Sequence, residues 1–126
     1  MRLSQCSPDT LKATVENARA AQHEAFQLVI APIFPQLFPK VAWAAEQLYE
    51  CLAADGYRVL LDDRNQKPKN MFLVIDFLQI PHRFVISGRS LDAGVVEYSH
   101  RPTEQAQKIP LDDLPAFIAA LITIDT

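Results

Sequence analysis

The pattern of apolar and polar positions changes near residue 25. Residues 1–24 are the most polar part of the chain, with few apolar positions. In "SPDTLKATVENARAAQ", Ser7 suits an N-cap, Pro8 the first helical position and Asp9 the first turn. A loosely packed helix fits this stretch, and a linker fits it equally well. From Phe26 the apolar runs become dense. "FQLVIAPI" is a short apolar run closed by Pro32, the pattern of a buried strand. "FPQLFPK" is a loop punctuated by proline. Val41, Ala44, Ala45, Leu48 and Leu52 then recur at helical spacing, and Gly56 stands where a helix-ending glycine belongs. "YRVLLDD" reads as the next strand.

"NMFLVIDFLQI" carries Met71, Val74, Ile75 and Leu78 on one helical face. Its length favours a helix, with Asn70 available as a cap. "HRFVIS" is a third strand after Pro81, "GRSLDAG" a turn and "VVEYSHR" a fourth strand. "PTEQ" turns again before "AQKIP", a short edge strand. Leu111, Leu114, Phe117, Ile118 and Leu121 form a last helical stripe. With Asp112 as its cap, Pro115 falls in the first turn, where no backbone donor is needed. The order from Phe26 is βαβαβββα. A strand, a helix and a strand in so short a span imply a parallel, right-handed unit. The expected architecture is α/β: one layered domain over residues 25–126, with a five-stranded mixed sheet and helices on its faces.

Composition narrows the function. The chain has 126 residues and a net charge of −3, which argues against a broad nucleic-acid-coating surface but allows a local basic patch. Cys6 and Cys51 are too few and too far apart for a metal knuckle or disulfide framework, and read as reduced thiols. No apolar run approaches membrane-spanning length, and the start lacks the apolar core of a secretory signal. The expectation is a cytoplasmic protein with no membrane partner and no cofactor. Three glycines, Gly56, Gly88 and Gly94, are too few for a phosphate cradle, and no nucleophile–base cluster is visible.

The stretch "LLDDRNQKPKN" concentrates the candidate chemistry. In open α/β sheets, ligands bind beyond the carboxyl ends of the parallel strands, and this loop leaves the second strand there. As a metal site it is poor. Asp62 and Asp63 have no nearby histidine or third carboxylate, and adjacent strand residues point to opposite faces. As an acid–base site it lacks a nucleophile. As a nucleic-acid contact it offers Arg64, Lys67 and Lys69. Residue types alone favour a solvated loop in which Asp62 or Asp63 bonds backbone amides and Arg64 pairs with a neighbour. His82 reads as a packed histidine, His23 and His100 as isolated surface residues, and Trp43 and Tyr49 as core or flank residues.

"LLDDRNQKPKNMF…IPHRFVISGRSLDAGVVEY" resembles the C-terminal anticodon-binding domain of prolyl-tRNA synthetase, a domain type shared by the class II enzymes for His, Gly, Thr and Pro. The pattern is carried by Asp62, Asp63 and Arg64, by Lys67 and Pro68, and by Met71 and Phe72. It continues through Ile80, Pro81, His82 and Arg83, and through Arg89, Leu91, Gly94, Glu97 and Tyr98. The resemblance runs from about Phe26 to the C-terminus and leaves residues 1–24 unmatched. It implies a three-layer α/β/α fold that holds an anticodon loop, whose unstacked bases expose their edges. Proline anticodons carry two adjacent guanines. Carboxylates accept from guanine N1–H and N2–H₂, and Arg or Lys donate to O6 and N7. The resemblance thus assigns base reading to Asp63, Arg64 and Lys67, and phosphate or stacking support to Lys69 and Phe72. Asp62 and Arg83 complete the RNA-contacting set.

The chain also departs from the family. Lys67 stands where the family has Arg, Lys69 and Gln79 where it has Gly, and Val74 where it has an early acidic helix residue. No class II catalytic motif is present, so the resemblance implies an excised domain or a free-standing relative. Its partners would be proline tRNA and a synthetase catalytic domain in cis or in trans. The alternative is a protein-interaction or homodimer module that has lost RNA reading, docking through Val74 and Phe77.

Overall fold

The computed structural model describes residues 1–20, 25–64, 66–100 and 106–122. Five strands form one sheet: β1 (Leu28–Pro32), β2 (Val59–Leu61), β3 (His82–Ile86), β4 (Val95–His100) and β5 (Ala106–Pro110). Their spatial order is β2-β1-β3-β4-β5. The strand β1 is parallel to β2 and β3, while β3–β4 and β4–β5 are antiparallel. The sheet is therefore mixed, as the strand order in the sequence implies.

Alternation of side chains gives the sheet two buried faces. On one face, Leu28, Ile30, Leu61, Phe84, Ile86, Val96, Tyr98 and Ile109 form the larger core. Val41, Ala45 and Leu52 of α2 (Pro39–Ala54) cover it, with Leu114 and Ile118 of α5 (Leu114–Leu121). On the other face, Val29, Ala31 and Leu60 pack under Met71 and Ile75 of α3 (Pro68–Leu78). Leu3 and Leu11 join this smaller core; Leu11 belongs to α1 (Pro8–Ala20). The result is three layers.

Local signals explain most helix ends. Ser7 Oγ accepts from the Thr10 N–H at 3.1 Å, so α1 begins at the serine cap. Beyond α2, Gly56 adopts φ 95° and its N–H bonds Ala53 O, while the Tyr57 N–H reaches back to Leu52 O. This is a helix stop that needs a left-handed residue. Three expectations are corrected. The helix α3 starts at Pro68 with Lys67 at its N-cap, not at Asn70, because proline at the first position gives up only an orphan donor. Asp112 lies inside a 3₁₀ turn, Leu111–Asp113, and Asp113 holds the N-cap position of α5 without a side-chain bond. "GRSLDAG" is not a simple turn: residues Gly88–Asp92 form a helical turn, α4. Ser87 accepts from the Ser90 N–H and Ser90 Oγ accepts from the Ser87 N–H, a reciprocal serine pair closing both orphan donors. The "PTEQ" turn and His23 lie outside the described residues.

His100 is half-buried and stacks on His82, ring centroids 5.0 Å apart, so it is not an isolated surface histidine. His82 Nδ1 lies 2.8 Å from the Tyr98 hydroxyl, and burial pushes that phenol above its ordinary pKa. Trp43 is 67% exposed and does not enter the core.

Candidate nucleic-acid interface

The chain leaves β2 at the carboxyl end of the parallel strands, with the Asp62 N–H still bonded to Ile30 O at 3.0 Å. Asp62 is 0% exposed. Both its oxygens face Arg64: Nε donates to Oδ1 and Nη2 to Oδ2, each at 2.9 Å. A two-point pair of this kind fixes the guanidinium plane. The bond to Asp62 holds the Arg64 guanidinium above its ordinary pKa. Arg64 Nη1 makes no hydrogen bond among the described residues. Asp62, expected among the RNA contacts, is thus fully buried, with Arg64 as its side-chain partner.

Asp63 points the other way and meets the N-terminal segment. The Ser4 N–H donates to Oδ1 at 2.8 Å and the Ser4 hydroxyl donates to Oδ2 at 2.7 Å. Residues 1–3 are anchored beside it. The Met1 nitrogen donates to Val59 O at 2.6 Å, the Leu61 N–H donates to Met1 O at 2.9 Å, and Arg2 bridges Leu61 in parallel. Arg2 also pairs with Glu46 and lies over the Tyr49 ring, 4.8 Å from its centroid.

Lys67 and Lys69 are exposed at the start of α3. One turn further on, Phe72 lies under Arg83, whose guanidinium carbon is 5.1 Å from the ring centroid. Arg83 Nη2 pairs with Asp76 Oδ1. Asp76 is the residue that sequence reading missed. Val74, which stands where the resemblance implies an acidic residue, packs partly against the smaller core. Asp76 lies four residues after Phe72, on the same helix face, and that spacing was the available signal.

The structure therefore sorts the candidate residues into two groups. Asp62, Asp63 and Arg64 stand at the carboxyl edge of β2. Phe72 and Arg83 stand with Asp76 on the α3 side of the sheet, near the start of β3. Lys67 and Lys69 lie between them; from Lys69 to Asp76 the helix rises about 10 Å. Beside the second group the sheet face is polar. Arg83 is opposite Ser99, Val85 opposite Glu97, Glu97 opposite Lys108 and Ser99 opposite Ala106. Residues directly opposite share a face. Glu97 and Ser99 are half-buried there, and Ala106 and Lys108 are exposed.

This geometry offers forked donors, a carboxylate acceptor, an aromatic face and two free-standing cations along one side of the molecule. Among the described residues no group of three or more His, Cys, Asp or Glu is placed to hold a metal ion. No described helix is long and apolar enough to cross a membrane.

The sequence profile described as the anticodon binding domain matches residues 27–121. A proline–tRNA ligase of Variovorax paradoxus (strain S110) is 46% identical over 94 residues. That match covers 75% of this chain and 16% of the ligase. The profile match at residues 27–121 takes in the sheet, the loop after β2 and the Phe72–Asp76–Arg83 group. This chain belongs to the anticodon-binding domain family.

Proposed function

We propose that this chain is the part of a proline–tRNA ligase that holds the tRNA anticodon loop. The observation that carries the reading is the group Phe72, Asp76 and Arg83 beside a polar sheet face. A splayed guanine needs donors for O6 and N7, an acceptor for N1–H and N2–H₂, and a flat surface for its ring. Arg83, Asp76 and Phe72 supply these in that order. In the free protein Arg83 and Asp76 satisfy each other, which keeps both in place before RNA arrives.

Lys67, Lys69 and Arg64 take the backbone phosphates. Asp62 holds Arg64 in position, and Asp63 supplies a further acceptor at the edge of the loop. Proline activation and transfer to tRNA belong to a catalytic domain, joined in cis or acting in trans. The test is titration of a labelled proline anticodon stem–loop against the wild type, Phe72→Ala and Arg83→Ala. Each substitution is expected to weaken binding at least about fivefold. Unchanged affinity in both would remove the site.

A further inference from the structure

The contact between Ser4 and Asp63 has the chemical form of the contact that a guanine would make. Two donors, one N–H and one O–H, meet the two oxygens of a single carboxylate at 2.8 and 2.7 Å. Guanine presents the same pattern through N1–H and N2–H₂. Each Asp63 oxygen already accepts one of these bonds, so a base that takes the same two-point geometry competes with Ser4 for it. The segment is built for such a step. Leu3 is buried in the smaller core, and Met1 and Arg2 are bonded along β2. Ser4 and Gln5 are exposed beyond that anchor. Ser4 sits in the 3₁₀ turn Leu3–Gln5, tied by the Gln5 N–H to Arg2 O and the Cys6 N–H to Leu3 O, so its withdrawal costs the two bonds to Asp63 and a twist of this turn, while Leu3 keeps its place in the core.

We infer that Ser4 is an internal competitor for Asp63, and that the N-terminal segment sets how strongly the loop after β2 grips a guanine of the RNA. This rests on the anticodon-reading role proposed above. It adds a residue outside the region matched to the family, and it makes that residue a restraint on affinity.

The experiment uses the full chain and two anticodon stem–loops, one with the proline guanines and one with both guanines replaced. Ser4→Ala removes one of the two competing donors. Its affinity for the guanine loop is expected to rise about threefold to tenfold, the equivalent of the ordinary net contribution of one hydrogen bond. Its affinity for the replaced loop should not change. Asp63→Asn added to Ser4→Ala should abolish the gain. Hydrogen exchange at the Ser4 amide supplies a second reading that needs no variant: RNA binding should speed it. If the wild type prefers the guanine loop but Ser4→Ala brings no gain and the Ser4 amide stays protected, competition is overturned and base reading stands. If neither protein distinguishes the two loops, base reading itself fails and the competitor fails with it.

Discussion

Arg64 grips Asp62 through two parallel bonds of 2.9 Å, with the carboxylate fully buried and the guanidinium about a quarter exposed. The pair fastens the start of the loop to the carboxyl end of β2. A buried charge that loses its partner is costly, whereas the intact pair is roughly neutral against an apolar replacement. Arg64→Ala strands a carboxylate inside the protein. It is expected to lower the unfolding free energy by about 3 kcal/mol, read as a shift of the urea midpoint at unchanged slope. Arg64→Ala together with Asp62→Leu should recover most of that loss. A loss below about 1 kcal/mol for the single variant would mean that water already reaches Asp62.

The two lysines at the start of α3 are expected to act through charge alone. Each phosphate contact on single-stranded RNA contributes about 0.7 to the slope of log affinity against log salt. Lys67→Ala and Lys69→Ala should each lower that slope by about 0.7. Each should weaken guanine-bearing and guanine-replaced stem–loops equally. A variant that lowered affinity for only one of the two would instead identify its lysine as a base reader.

Gln79 ends α3 in the left-handed region, at φ 57°. A side chain there costs roughly 1 kcal/mol relative to glycine. Gln79→Gly is therefore expected to stabilise the fold by about 1 kcal/mol, with no effect on RNA affinity. Thermal unfolding and one stem–loop titration check both halves.

The layered fold was legible because its signals are local and strong. The apolar runs at 28–31 and 59–61 mark strands buried on both faces, 84–86 marks a strand fully buried on one, and helical periodicity marks α2 and α5. Helix α4 was hidden. Its cap is a Ser87–Ser90 pair inside a stretch whose two glycines read as turn punctuation. The candidate site was half legible. The mixed charge of 62–69 marked the loop, but residue types alone do not say which carboxylate faces inward. Asp62 and Asp63 are adjacent, so one turns under the sheet edge to Arg64 and the other turns out to Ser4. The partnership of Asp76 with Arg83 joins a helix to the strand that follows it, and only the packing of α3 across this face of the sheet brings the two together. The Ser4–Asp63 contact spans 59 residues, beyond the reach of any local pattern.

Guanine reading in an anticodon loop, proposed above for this domain, has a direct test. The most direct measurement compares two proline anticodon stem–loops that differ only at the two guanines, titrated at one salt concentration. Tighter binding of the guanine loop by about tenfold or more is expected, since a two-point contact discriminates by about 1–3 kcal/mol. Equal affinity for the two loops, or no affinity for either, would contradict the account.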